Sequence, residues 1–226
     1  MKWMQAVVIS IGIAALNVAA QAQAGTAGQA QPNTAGAARE TAASESQIDI
    51  GVNFYEAFNN STSGLGTQQT PKNETGGMFE ARYIESPFMG FEFTYSYNPA
   101  DQTLAPKPGA CALACANPTT KLNAKASEVG LDYLISKQFG RFRPFAVGGL
   151  GFFITSPPNS TYEVNTVVRP AFIYGGGTDV SLISHFGVRL QFRDNLYKAP
   201  NLSAFYPATG VYTHSAEPMG GVFFKF

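Results

Sequence analysis

An excess of charge of either sign is missing from this sequence: 15 basic and 15 acidic residues leave a formal charge of zero. Nothing marks the chain as a nucleic-acid binder, and no nucleic-acid partner is expected. Tryptophan occurs once, at Trp3, and cysteine and histidine twice each. Beyond the first two dozen residues no window carries a convincing helical stripe. No Ser-His-Asp set emerges in a usable order, so the chain reads as a non-enzyme with no catalytic residue, cofactor or metal. A hydrolase working at a lipid boundary would have to rest on His214 with Ser203 or Ser215, and Glu217 is the carboxylate nearest to them. What is present in quantity is apolar: 45% of the chain, with 18 Phe and 10 Tyr, in one domain's length of 226 residues.

The N-terminus has the three parts of a secretory signal peptide. Lys2 supplies a positive charge, Ala6 to Ala20 form a short apolar run, and Ala22-Gln23-Ala24 is an A-x-A cleavage site. Residues 1–24 are therefore read as a signal peptide, with cleavage after Ala20 as the alternative. The run is too short and too rich in small residues for a comfortable transmembrane helix. Residues 25–47 are of low complexity, without aromatics or apolar period, and read as a disordered leader. A regular domain follows over 48–226.

That domain alternates with period two, the signature of strands whose successive side chains point to opposite faces. Met89, Phe91, Phe93, Tyr95 and Tyr97 alternate with Gly90, Glu92, Thr94 and Ser96; Phe186, Val188, Leu190 and Phe192 alternate with Gly187, Arg189, Gln191 and Arg193. Eight strands are expected, near 48–58, 76–85, 88–97, 121–136, 141–155, 166–182, 186–197 and 217–226. Over Arg141–Thr155 both faces read as buried. The connections fall into two classes. Tight turns follow the second, fourth and sixth strands, and long polar segments, about 59–75, 98–120, 156–165 and 198–216, follow the others.

Alternate connections of an even antiparallel set emerge at opposite ends. The pattern is that of an all-β, eight-stranded antiparallel transmembrane β-barrel with short periplasmic turns and long extracellular loops, in a bacterial outer membrane. Closure also removes the free edges of an open sheet. The apolar parity then faces outer-membrane lipid. The other parity carries Glu80, Arg82, Glu92, Glu128, Asp132, Arg169, Asp179, Arg189 and Arg193, five acids against four bases. A barrel of this size is filled by its own side chains, so a near-neutral, salt-bridged plug is expected. The inverted arrangement is a soluble periplasmic barrel binding a lipid or other ligand.

Val222, Phe224 and Phe226 share one face of the last strand, and an aromatic at the end of such a row resembles the signal read by the outer-membrane barrel assembly machinery. The chain as a whole, over about 48–226, resembles the small OmpA-like eight-stranded barrels. The likeness is carried by the Arg143-Pro144-Phe145 opening and Gly-rich middle of 141–155, and by Tyr174–Pro200 with its tight turn and Arg189/Arg193 strand. It implies anchoring, adhesive or structural roles. A peptidoglycan-binding domain is not recognised after the barrel, so wall tethering is not implied. Cys111 and Cys115 share the longest loop. Two thiols alone do not complete a metal site, C-x3-C is not the redox spacing, and in an exported chain a local disulfide is expected. The leading function is a structural or surface-interaction barrel acting through loops 59–75, 98–120 and 198–216 on an unknown extracellular partner, with Phe205, Tyr206 and Tyr212 as the first contacts to test. A small-solute porin is the second reading.

Overall fold

The computed structural model describes residues 46–107, 119–157, 166–203 and 206–226. The signal segment 1–24, nearly all of the leader, Cys111, Cys115 and Phe205 lie outside the described residues. Twelve strands are present among the described residues: β1 Gln47–Asn59, β2 Thr62–Gly64, β3 Thr67–Pro71, β4 Glu74–Ser86, β5 Met89–Pro99, β6 Gln102–Pro106, β7 Thr120–Leu122, β8 Lys125–Ser136, β9 Phe142–Ser156, β10 Val167–Ser181, β11 Phe186–Lys198 and β12 Tyr212–Lys225. There is no helix among the described residues.

Eight of them close into an antiparallel barrel in the order β1-β12-β11-β10-β9-β8-β5-β4. Residue pairing measures the stagger. From Phe58 the line of partners passes Ala216, Asp194, Tyr174, Gly148, Tyr133, Phe91 and Tyr83 and returns to β1 at Ile48, a shift of ten residues. For eight strands that stagger fixes a tilt of about 40° and an interior only wide enough for side chains. Residues 87–88, 137–141 and 182–185 join barrel strands at one end, where both ends of the barrel domain also lie; the longer connections 60–73, 100–124, 157–166 and 199–211 stand at the other.

The sorting of faces follows from the alternation. Ile50, Val52, Phe93, Leu131, Leu150, Phe172 and Leu190 are exposed on the outer wall, while Asp49, Glu80, Arg82, Glu92, Arg189 and Arg193 are buried inside. This is the reverse of a soluble ligand-binding barrel, and an apolar wall of this extent belongs in lipid. Aromatics gather toward its two rims, Tyr83, Tyr133 and Phe142 at the short-turn end and Tyr97, Phe152 and Tyr212 at the other. Closure satisfies the backbone of every wall strand, as hydrocarbon requires.

Arg141–Thr155 does not bury both faces as its composition suggests. In β9 Phe145, Val147 and Phe153 face inward, Leu150 and Phe152 outward, and the inward glycines make room. Gly130 on β8 shows how tight that room is: a Cβ there would sit 2.6 Å from Thr94 Oγ1 and 2.8 Å from Ile173 Cδ1.

The connections expected as loops at 59–75 and 98–120 hold a second sheet of order β2-β3-β6-β7. Its order repeats that of the wall strands β1-β4-β5-β8 from which its members continue. The ladder breaks at 60–61, 72–73, 100–101 and 123–124 and then resumes with Thr67 opposite Pro106 and Gln102 opposite Leu122. The sheet buries Thr62, Thr67, Gln69, Gln102, Leu104 and Leu122 on one face. Against that face pack residues 199–203 and 206–211, with Leu202 and Tyr206 joining Leu104, Leu122 and Ala124 in a separate apolar cluster. Gln69 Nε2 donates to the Pro200 carbonyl at 3.2 Å, and the Thr62 and Thr209 hydroxyls are 3.3 Å apart. The mouth is therefore capped. Tyr206, expected as an outward contact, is buried in this cap at 3% exposure, whereas Tyr212 is exposed. The last strand begins at Tyr212 rather than near 217, which moves Glu217 from the strand's first position into the barrel.

Candidate functional site: the charged interior and its cap

The interior is a stack of ion pairs contributed by six of the eight wall strands, β1, β4, β5, β8, β10 and β11. Strand β9 supplies aromatic and glycine positions with Arg143 toward the short-turn end, and β12 supplies Phe223 and Glu217. Near the short-turn end, Arg189 forks onto Asp179, Nε to Oδ1 at 2.6 Å and Nη2 to Oδ2 at 2.8 Å. The same guanidinium donates to Asp49 at 3.2 Å and to Glu80. The flat face of Arg189 lies 4.7 Å from the Phe223 ring centre, and Arg82 lies 4.0 Å over Phe145. Arg82 donates to Glu92 and, at 3.1 Å, to Gln191 Oε1. One level higher, Arg193 donates to Asp132 at 3.1 Å, Thr94 at 3.3 Å, and Glu92 and Glu128 at 3.4 Å each. Planar guanidinium groups suit this work, since each presents five fixed donors to several carboxylates and stacks on rings at the same time.

Eight of the nine interior charges expected from the sequence are in this stack. Arg169 is not; it faces inward near the capped end, half-buried, with no ion pair among the described residues. Two acids that the sequence count omitted join it. Asp49 sits on the inward parity of β1, directly readable from the alternation. Glu217 was obscured because Thr213-His214-Ser215-Ala216 carries no apolar alternation to announce a strand. Asp49, Glu80, Glu92, Glu128, Asp132, Asp179 and Glu217 are fully buried with Arg82, Arg189 and Arg193. The half-buried Arg143, Arg169 and Lys225 stand on the same inward parity nearer the two ends of the bore.

Above Arg193 the stack turns polar. Asn195 Nδ2 donates to both Glu128 at 2.6 Å and Glu217 at 3.0 Å, and Ser215 Oγ donates to Glu217 at 3.2 Å. Phe153 and Tyr197 stack at 4.3 Å, and Tyr55 donates to Asn98 at 3.3 Å. A cavity of about 30 Å³ separates this level from the cap; its walls include Glu217, Ser215, Thr155, Tyr197, Gln102 and Leu202.

His214 lies on the outer wall, with Nδ1 3.4 Å from Asp194, which also accepts from the Tyr174 hydroxyl at 2.6 Å. Ser215, its neighbour in sequence, points to the interior and is bound to Glu217. The wall of the barrel thus stands between the imidazole and both Ser215 and Glu217. His185 lies at the opposite end of the barrel, in the turn after β10 and 5.9 Å from the Phe224 ring centre. Val222, Phe224 and Phe226 share the exposed outer face of the last strand, and the Phe224 and Phe226 rings meet edge to face at 5.1 Å.

No protein-family model matches the chain, and no curated protein matches it. Solved structures do. Neisserial surface protein A, from Neisseria, aligns with 80% of this chain and 97% of its own at 12% identity and a TM-score of 0.51. The outer membrane protein OprG from Pseudomonas aeruginosa aligns with 80% of this chain and 95% of its own at 14% identity and the same TM-score, 0.51. The shared feature is the fold: the chain is a small barrel of the outer-membrane type, and the likeness does not single out the OmpA-like group.

Proposed function

We propose that this chain is a non-enzymatic barrel of a bacterial outer membrane, with a structural or surface-interaction role exercised through its capped end. The short turns lie on the periplasmic side and the cap faces outward. The observation that carries this reading is the filled interior. Three stacked guanidinium groups and seven carboxylates occupy the bore, and a second sheet with segment 199–211 covers the mouth. Such a bore does not pass solutes of porin size. What remains available is the outer surface of the cap, where Leu65, Val211 and Tyr212 are exposed on a rigid sheet framework. Biogenesis follows the same assignment, with the assembly machinery reading the outward row Val222, Phe224 and Phe226.

Two measurements test the proposal. Purified protein in a planar bilayer gives no steady openings of porin size; such openings would overturn it. Trypsin added to intact cells cuts at the capped end, where Lys72, Lys107 and Lys121 are exposed, and spares Lys137 in the short turn until the cells are lysed. The opposite order of cleavage inverts the orientation and removes the surface role.

A further inference from the structure

Six of the seven buried acids lie within ion-pair distance of an arginine: Asp49 and Glu80 of Arg189, Asp179 of Arg189 and Arg82, Glu92 of Arg82 and Arg193, and Glu128 and Asp132 of Arg193. Glu217 is the seventh and has none among the described residues, although it is 2% exposed. Its Oε1 accepts from Asn195 and Ser215, both neutral, and its Oε2 has no partner. The nearest carboxylate level gives no relief. Glu128 shares the same Asn195 amide, and the Arg193 that serves Glu128 is divided with Glu92 and Asp132.

An amide orients a carboxylate but does not cancel its charge. In a bore closed by protein and lipid, a carboxylate without an ion pair is not left charged and alone; it is neutralised by a proton or by a cation. Around Glu217 the geometry distinguishes the two. A proton on Glu217 alone would place an O–H on Oε2 that no acceptor among the described residues receives. A proton shared with Glu128 would need the two carboxyl groups against each other, whereas both turn to the amide of Asn195 that stands between them. Glu217 instead borders the cavity of about 30 Å³ beneath the cap. The other walls of that cavity bring oxygen ligands: the hydroxyls of Ser215, Thr213 and Thr155 and the side-chain amide of Asn98, with Thr155 Oγ1 buried and also without a partner. The cavity reaches the rim at Asn60 and Lys72, which supplies a route of entry. Its volume suits one small ion with little accompanying water. Asp101, the other carboxylate on the walls, lies beside Lys72. Glu217 therefore meets the ion with neutral oxygens around it, a poor cage for Ca²⁺ or Mg²⁺, which take more carboxylate or a full octahedron.

We propose that the space between the barrel's charged interior and its cap binds a single small monovalent cation of the sodium class, held by Glu217 Oε2 and the hydroxyl and amide oxygens around it. The ion balances the charge of Glu217, the buried acid that has no ion pair among the described residues, and ties the last strand to the underside of the cap.

The test uses the full mature chain refolded in uncharged detergent. Thermal unfolding is followed in sodium chloride and in choline chloride at equal ionic strength, choline being too large for the cavity. For the wild type, Tm rises by several degrees as sodium replaces choline, as mass action requires of an ion that binds only the folded state. Glu217→Gln removes the response and unfolds at the same temperature in both salts. Sodium-23 resonances broaden with the wild type and not with Glu217→Gln. Should that variant fail to fold, Thr155→Val keeps the carboxylate and weakens the sodium response instead. A wild-type Tm indifferent to sodium overturns the proposal, as does a Glu217→Gln protein that responds like the wild type. A Tm that climbs on acidification with no sodium dependence overturns it too, and assigns the balance to a proton.

Discussion

Individual side chains here differ in importance chiefly by whether water can replace what they provide. Arg189 is fully buried and carries Asp49, Glu80 and Asp179 on one guanidinium. Arg189→Met leaves Asp49 without its cation and leaves Glu80 and Asp179 to Arg82 alone, at 3.8 and 3.5 Å, and breaking a buried pair this way costs about 3–5 kcal/mol. Urea unfolding of the protein in liposomes is expected to register that loss. Arg189→Lys keeps the charge but loses the two-pronged bond to Asp179, so its midpoint falls between the other two. The rim pair Lys72–Glu74, 2.8 Å apart with the lysine in water and the glutamate largely covered, behaves differently: Lys72→Ala stays within about 1 kcal/mol of wild type. Leu65 is a third case. It forms the two-residue turn between β2 and β3 with Gly66, and both have positive φ, 48° and 81°. That turn prefers Asn-Gly, and a leucine held in the left-handed region costs about 1 kcal/mol. Leu65→Asn is therefore expected to slow amide exchange across the β2–β3 hairpin. If Leu65 is a surface contact, the same change weakens attachment to the partner while strengthening the fold. An unchanged or faster exchange would show that the turn is not strained.

Among the elements, the cap is the one most separable from the rest. Its apolar cluster of Leu104, Leu122, Ala124, Leu202 and Tyr206 is distinct from the clusters inside the barrel. Leu202→Ala removes a buried side chain and is expected to cost about 2–5 kcal/mol locally. The readout is proteolysis within 199–211, which accelerates while heat-modifiable migration of the barrel on gels is unchanged; loss of both would mean that cap and barrel unfold as one. The same division separates what the sequence discloses from what it conceals. Each wall strand is legible because one face must meet lipid and the other must not, which writes a strict alternation such as Phe91, Phe93, Tyr95 against Glu92, Thr94, Ser96. The cap strands meet water on one face and mostly Thr and Gln partners on the other, so Thr62–Gly64 and Thr67–Pro71 read as polar loop. Their pairing is made by continuation of the wall ladder past a break, a long-range fact with no local signature. Glu217 escaped for a related reason. The outward residues of the upper β12 are His214 and Ala216, too polar or too small to mark a lipid face, and without the phase of that face the inward Glu217 has no sign. Arg169 erred in the opposite direction: parity places it inside, but height along β10 sets it above the last carboxylate it could reach.

For the whole molecule the governing fact is an inside-out distribution of polarity around a closed wall, and its sharpest test compares one charge at two heights on the outer surface. Leu131 is exposed at mid-wall, paired in register with Phe93 and Leu150, so that its neighbours on either side are also apolar and outward. Ser63 is exposed on the outer face of the cap, beyond the wall strands. An arginine introduced at 131 must stand in hydrocarbon or bend far to leave it, which costs about 2–4 kcal/mol at the middle of a bilayer. At 63 it stands in water and costs nothing measurable. Both variants add one positive charge to a chain whose formal charge is zero, so net charge and solubility change equally and only position differs. In liposomes, Leu131→Arg is expected to lower the urea midpoint and Ser63→Arg to leave it in place. In a detergent solution with a thinner, more deformable apolar belt the gap between them narrows. Equal midpoints in liposomes would mean that the apolar wall is not covered by lipid, and would return the molecule to a soluble or oligomeric setting in which that wall is buried against protein.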